Sequence, residues 1–94
     1  SAGLDYPGVS PIHCFLKDTK RARYTSATDE GALSAYKLVT KLEKINPSLE
    51  PSHAFAEAIK IAPKLSKDTV IIVNSCGDAK KDRDILKERL GKIN

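Results

Sequence analysis

Two polar side chains that could do chemistry follow apolar segments of this sequence. Glu50 follows Ser48 and Leu49, and Cys76 comes shortly after the apolar run VIIV at 70–73. If both segments are parallel strands, their carboxyl ends lie at one edge of a sheet, which is where open α/β sheets bind ligands. A carboxylate and a small polar group at that edge could hydrogen-bond the ring or the polar groups of a cofactor. The pair is the first candidate for a site.

Each of these residues also has a purely structural interpretation. Glu50 is an acid of the kind favoured near a helix N-terminus. Cys76 can pack as a small buried hydrophobe, and Gly77 can serve only to turn the chain. Asp5, in the segment GLDYPG, is a residue type that forms turns. The pattern alone leaves both interpretations open.

The other groups able to react are two histidines and a second cysteine. His13 or His53 could act as the base for a cysteine nucleophile, but nothing in the sequence places either histidine beside a cysteine. Cys14 and Cys76 lack CxxC spacing, so they indicate neither a disulfide framework nor a zinc site. We therefore expect two reduced thiols.

Length and composition disfavour several classes of function. The 94 residues suffice for one small domain, and a chain with no methionine that opens on Ser1 is expected to be a piece of a longer one. The net charge of +4 comes mostly from lysines interleaved with acids, and there are only five aromatic residues. A nucleic-acid surface would be expected to show a clustered basic face with stacking rings. No apolar run approaches the ~18 residues of a membrane span.

The elements that must position the candidate groups are predicted from apolar spacing and from proline. Apolar residues recur at helical spacing after Thr28 and again after Pro51. The run at 70–73 is apolar on both faces, as in a strand covered on both sides within a parallel sheet. The predicted order is a loop with a helical turn at 1–16, strands at 23–26, 48–50 and 70–73, helices at 28–46, 51–62 and 81–90, and a tail at 91–94.

This alternation predicts an α/β fold. Strands that alternate with helices form a parallel sheet with right-handed crossovers, so we expect a three-layer segment of parallel sheet. Residues 1–94 would form a single partial domain, with 1–16 near the active site and the β/α alternation at 23–90.

Three stretches of the sequence resemble one enzyme family. SAGLDYPGVSPIH, YTSATDEGALSAYKLVTKLEKINPSLEPSHAFAEAIKIA and IIVNSCGD are similar to the C-terminal part of the tryptophan synthase β subunit. The specific signals are AGLDYPG and PSLEPSHA, the latter close to the family's PALESSHA. The similarity runs from Ser1 to about Asp82.

The resemblance implies a lyase of tryptophan biosynthesis that condenses indole with L-serine by means of pyridoxal phosphate. This chain would supply part of the C-terminal domain of the fold shared by such enzymes. The implied partners are the remainder of the β chain, an α subunit or fused α domain, and a second β chain in a homodimer. The implied location is the cytoplasm, or the plastid in a photosynthetic eukaryote. The lysine that binds the cofactor and the loop that holds its phosphate belong to the family's upstream sequence, so the isolated chain is expected to be inactive.

The resemblance also assigns roles to individual residues. Glu50 matches a glutamate beside the cofactor ring, where it tunes the cofactor's electronics, and Asp5 matches an aspartate that interacts with bound substrate. Gly3, Cys76 and Gly77 would border the cofactor. Cys76 stands where the family has a serine whose hydroxyl hydrogen-bonds the pyridine nitrogen. A neutral thiol keeps the logic of a neutral partner, but its hydrogen bond is weaker.

A monovalent cation such as Na⁺ or K⁺ is implied as well. The backbone carbonyls of Leu4, Tyr6 and Gly8 match those that line the family's cation site. The segment is rich in Pro and Gly, and carbonyls that converge on one ion require such an irregular backbone.

The segment CGDAKKD at 76–82 departs most from the family, which has SGRGDKD there. Gly77, Lys81 and Asp82 remain, whereas the arginine, the second glycine and the first aspartate are replaced. Two alternative interpretations stay open. One is a fragment of a related serine or threonine dehydratase, in which a cysteine can occupy the ring-nitrogen position, although AGLDYPG argues against it. The other is a non-catalytic remnant that acts as an interaction module.

Overall fold

Within the residues that it describes, the chain folds into helices joined by irregular segments. The computed structural model describes residues 2–4, 6 and 8–91. Asp5 and the predicted tail beyond Gly91 therefore lie outside it. The helices are α1 at Pro11–Asp18, α2 at Asp29–Glu43, α3 at Leu49–Ile61 and α4 at Arg83–Leu90, with 3-10 turns at Ala2–Leu4, Ala62–Lys64 and Ala79–Asp82.

The longest helix, α2, begins at the signal that the sequence predicts. The Thr28 hydroxyl accepts a hydrogen bond from the Gly31 N–H at 3.1 Å, and Asp29 and Glu30 occupy the first turn. Both features stabilise a helix N-terminus, because they satisfy a free N–H and complement the helix dipole. The helix ends slightly earlier than predicted, where Lys44 adopts a left-handed conformation with φ 59°.

A small core joins α2, the start of α3 and α4. Leu86 is fully buried at its centre. Because the 3-10 turn Ala79–Asp82 contributes to this core, it is held against the first turn of α3. The cluster consists of Tyr36, Leu49, Ala79 and Leu86, with Leu33 and Leu90 packed against it.

The predicted parallel sheet is wrong. Among residues 2–4, 6 and 8–91 the structure contains no β-strand, and residues 23–26 and 70–73 run without regular secondary structure. Val70 and Ile72 are 83% and 90% exposed. A strand requires the backbone hydrogen bonds of a neighbouring strand, and the described backbone bonds supply none to these segments. The apolar pattern of 70–73 therefore indicates burial that this chain does not itself provide.

The predicted strand at 48–50 is a helix start instead. Ser48 has extended backbone angles (φ −68°, ψ 170°) and is the N-cap residue, and Leu49 opens α3. Glu50 therefore lies in the first helical turn rather than at the end of a strand. Proline is well tolerated in the first turn of a helix, so Pro51 belongs to the same helix as Leu49 and Glu50.

The helices in the described part of the chain are short. The longest has 15 residues. Within the described ranges, no helix has the length and the apolar character needed to cross a membrane.

Candidate functional site

Glu50 is held in the first turn of α3 by a lysine that is distant in sequence. The Lys81 ammonium group donates to both carboxylate oxygens, at 2.8 Å from Oε1 and 2.6 Å from Oε2. The Glu50 side chain is 21% exposed and that of Lys81 is 51% exposed. Glu50 is thus partly buried and paired with a cation at the protein surface.

Lys81 belongs to a segment that is fastened to the turn before α3. We call residues 76–82 the loop 76–82. The Ser48 hydroxyl donates to the backbone oxygen of Cys76 at 2.9 Å, and the Ala79 N–H donates to the Asn46 backbone oxygen at 3.1 Å. Because Ser48 is 1% exposed, its bond is shielded from competing water. These contacts bring Cys76 to the same end of α3 as Glu50.

Asp82 completes the attachment of the loop 76–82. It is 5% exposed, and its Oδ2 accepts the backbone N–H of Leu49 at 2.9 Å. Its Oδ1 lies 3.5 Å from the Lys81 ammonium. The first N–H groups of a helix have no partner within the helix, so this carboxylate caps α3 from a position more than thirty residues away.

The charges at this site are two carboxylates around one ammonium group. The side-chain hydrogen bond to Glu50 raises the pKa of Lys81 above its ordinary value, and the nearby Asp82 charge acts in the same direction. Lys81 is therefore a cation at neutral pH. Since the folded-state pKa is raised, the contribution of this pairing is fully present below the ordinary lysine pKa. It is lost as the pH rises through the raised value.

Gly3 and Gly77 both stand where a side chain would be obstructed. A Cβ atom on Gly3 would overlap the Glu50 carboxylate, so the N-terminal segment approaches Glu50 with its backbone. Gly77 has φ +84°, and a Cβ there would lie 3.0 Å from the Ser48 hydroxyl oxygen. A residue with a side chain is strained at that φ. The structure thus brings these two predicted residues to the Glu50 end of α3.

Cys76 is exposed and carries a free thiol. The alternative in which it packs as a small buried hydrophobe is therefore not what the structure shows. Its backbone oxygen is bound by Ser48, so the position of this residue is set through the main chain.

A cavity of about 1010 Å³ lies beside Glu50. Its lining includes Glu50, His53 and Glu57 of α3 and residues 71–74, of which the first three are apolar. Leu4 also lines the cavity. A concave space with apolar walls and a few polar groups is the usual form of a small-molecule site.

The predicted cation site falls on a segment that is only partly described. Leu4, Tyr6 and Gly8 are all exposed, and Asp5, between the first two, lies outside the described residues. The site is still a prediction. Among the described residues, no group of three or more His, Cys, Asp or Glu side chains could hold a metal ion.

Neither histidine is paired with a cysteine in the part of the chain that the structure describes. His13 Nδ1 hydrogen-bonds the Tyr24 hydroxyl at 2.8 Å, and His53 Nδ1 lies 2.7 Å from the Leu49 backbone oxygen. Because a carbonyl only accepts, His53 donates from Nδ1. The cysteine–histidine nucleophile considered from the sequence has no support in this geometry.

Sequence reasoning missed the parts played by Ser48, Lys81 and Asp82. Lys81 and Asp82 stood out only as residues retained in a divergent segment, and nothing in their spacing connects them with Glu50 or Leu49. Ser48 and Asp82 are buried polar residues. Buried polar groups almost always have hydrogen-bond partners, so a search for internal hydrogen bonds would examine these two first.

Comparisons with known proteins give a consistent result. No protein-family model matches the chain. It is 54% identical over 91 residues to the tryptophan synthase beta chain of Cereibacter sphaeroides, covering 97% of this chain and 22% of the relative. The corresponding protein of Fusobacterium nucleatum is 56% identical over 90 residues, covering 96% and 23%. The chain is homologous to the C-terminal part of tryptophan synthase beta chains.

The resemblance seen in the sequence motifs is therefore confirmed. A third relative, the tryptophan synthase beta chain of Bordetella petrii, is 53% identical over 91 residues, or 97% of this chain and 23% of the relative. The chain thus spans less than a quarter of the length of these curated relatives. Their names do not favour the alternative of a serine or threonine dehydratase.

Proposed function

We propose that this chain is the C-terminal part of an enzyme that condenses indole with L-serine to give L-tryptophan and water, using pyridoxal phosphate. The observation that supports this most is the identity of 53–56% with tryptophan synthase beta chains over nearly all of the chain. Glu50 and Cys76 would lie at the cofactor ring, because the segments PSLEPSHA and IIVNSCGD that carry them match motifs of this family.

The residues at the N-terminus of α3 fit the ring portion of this cofactor. The cavity beside Glu50, at about 1010 Å³, is at the upper end of the ~300–1,000 Å³ usual for small-molecule sites. Glu50 lines this cavity, whereas Cys76 is not among its lining residues. The exposed thiol of Cys76 would be a weak neutral partner for a ring nitrogen, an assignment that rests on the sequence match. The bound cofactor supplies the electron sink for loss of the serine hydroxyl group.

The chain's own residues would orient and polarise what they contact. Glu50 would place a negative charge beside the ring. Cys76 would hydrogen-bond the ring nitrogen without transferring a proton to it. Asp5 would hold the substrate, an assignment that rests on the motif GLDYPG. Gly3 would allow close backbone approach to Glu50, and Gly77 would allow the same to Ser48.

Further parts of the proposal concern ions and partners. The carbonyls of Leu4, Tyr6 and Gly8 would bind Na⁺ or K⁺. The partners would be the remainder of a β chain, a second β chain in a homodimer, and an α subunit or fused α domain that supplies indole. The location would be the cytoplasm.

A hybrid protein tests the proposed function. In the Cereibacter sphaeroides beta chain, the matched segment is replaced by this 94-residue chain, and tryptophan formation from indole and L-serine is measured. We expect the hybrid to bind pyridoxal phosphate and to make tryptophan, while the isolated 94-residue chain does neither. A hybrid that folds and binds the cofactor but only releases pyruvate from serine would contradict the proposal and favour a dehydratase.

Restoring the family's serine should improve the hybrid enzyme. A hydroxyl forms a stronger hydrogen bond than a thiol, so Cys76→Ser should raise kcat/KM by about 2- to 5-fold, corresponding to ~0.5–1 kcal/mol. The absorption spectrum of the bound cofactor should shift with it. Cys14→Ser, which changes the other exposed thiol, is the matched control and should leave both quantities unchanged. Equal effects of the two substitutions would show that Cys76 does not contact the ring.

A further inference from the structure

Lys81 and Glu50 make a short side-chain contact at the N-terminus of α3. The ammonium nitrogen lies 2.8 Å and 2.6 Å from the two carboxylate oxygens. Distances of this kind are typical of hydrogen bonds between ionised groups, which are about twice as strong as neutral ones. Because both oxygens are engaged, the rotation of the carboxylate group is restricted as well as its position.

The position of Lys81 is itself set by the loop 76–82. Its neighbour Asp82 is buried and accepts the Leu49 N–H, and Ala79 is bound to Asn46 through the backbone. A lysine on a mobile loop would lose much conformational entropy on pairing, since both its backbone and its many side-chain rotamers would have to be ordered. Here the backbone from which Lys81 extends is already held against α3.

We propose that Lys81 is a positioning residue, which holds the Glu50 carboxylate so that Glu50 and Cys76 meet the cofactor ring as one unit. The loop 76–82 carries Cys76 at its first position and Lys81 near its last, and the same turn of α3 binds both ends. The inference rests on the proposed function, because it adds a residue to that same site.

If Lys81 contributed only to stability, removal of its ammonium group should have little effect on any measured property. Its side chain is 51% exposed, and exposed ion pairs contribute little to the free energy of unfolding because water and salt screen them. A positioning role predicts that substitution of Lys81 affects the active site more than it affects the free energy of unfolding. Loss of the ammonium group should leave the fold intact and change the placement of Glu50. The raised pKa of Lys81 agrees with a persistent pair at neutral pH.

The test compares three variants in the hybrid beta chain with its cofactor bound. Lys81→Met keeps the length of the side chain and removes its charge, and Lys81→Arg keeps the charge. Lys80→Met is the matched control, because Lys80 is an exposed neighbour whose backbone N–H, at 2.7 Å from Asp78 Oδ1, makes its contact within the loop. All three are measured for thermal midpoint, absorption spectrum of the bound cofactor, and the ratio of tryptophan formed to pyruvate released.

We expect Lys81→Met to lower kcat/KM by about 5- to 20-fold, to shift the cofactor spectrum and to raise the share of pyruvate, with an unchanged thermal midpoint. Lys81→Arg should recover a large part of each quantity. In the apoprotein, an exchange-protected ¹⁵N–¹H signal of the Lys81 ammonium group should be visible at neutral pH and absent in Glu50→Gln. This readout does not depend on activity.

Two results would overturn the inference. The first is a Lys81→Met hybrid with the same cofactor spectrum and product ratio as Lys80→Met. The second is an ammonium signal that persists in Glu50→Gln. Failure of the proposed function looks different, since the hybrid with the unmodified chain would then make no tryptophan.

Discussion

Replacement of Leu86 by alanine is expected to lower the free energy of unfolding by about 2–5 kcal/mol. Leu86 is completely buried and contacts the cluster of Tyr36, Leu49 and Ala79. Its truncation removes apolar contacts and leaves a cavity where α2, α3 and the 3-10 turn meet. A chain of this size has a total stability of only ~5–15 kcal/mol, so the loss is a large fraction. Urea unfolding followed by circular dichroism measures it.

The matched control for Leu86 is its neighbour in the same helix. Ile85 is 41% exposed, so Ile85→Ala removes a side chain of similar volume from a partly solvated position. We expect a loss below about 1.5 kcal/mol for Ile85→Ala, since less apolar area returns to water. Equal losses for the two substitutions would mean that α4 does not dock through Leu86.

Asp82 is expected to show the second large effect. Asp82→Ala removes the acceptor for the Leu49 N–H and the charge next to Lys81. A buried donor left without a partner, together with the lost hydrogen bond to a charged group, should cost about 2–4 kcal/mol of unfolding free energy. Asp82→Asn retains an acceptor for Leu49 and should cost only ~1 kcal/mol. The same urea titration gives both values.

The order of these losses in unfolding free energy shows whether Asp82 acts mainly as the cap of α3 or mainly through its charge next to Lys81. If the carboxylate acts mainly as a cap of α3, Asp82→Asn should fall close to the unsubstituted chain and far from Asp82→Ala. Asp68→Ala, at an exposed carboxylate in the loop before residue 70, should change stability by less than about 0.5 kcal/mol. An Asp82→Ala chain as stable as Asp68→Ala would contradict the contact between the loop 76–82 and α3.

The helices were largely predictable, because their signals are local. Thr28 and the acids after it cap α2 through groups three residues away, and the buried residues of α2 keep helical spacing. The helical turn expected near residue 12 is present as α1. A helix satisfies its hydrogen bonds within its own segment, so a short window of sequence suffices to identify it.

The sequence predicted strands that the described residues do not form, because a strand depends on neighbouring strands for its hydrogen bonds. The apolar run at 70–73 has the composition of a buried strand, yet Val70 and Ile72 are exposed here. A pattern of apolar residues records that a segment is normally covered, and it does not say by what. The strand prediction for 48–50 was wrong for a different reason. Three residues before a proline are too few to show whether the apolar spacing is that of a strand or of a helix start.

The sequence by itself determined the family and the main helices, through the motifs AGLDYPG and PSLEPSHA and through caps and apolar spacing. It also singled out Glu50 and Cys76 as candidate groups. Only the tertiary structure decided how those groups are held: by a lysine 31 residues from Glu50 and by an aspartate 33 residues from the N–H that it caps. Charge pairs and hydrogen bonds over such separations leave no period in the sequence, because their geometry exists only after the core around Leu86 has brought the loop 76–82 against α3.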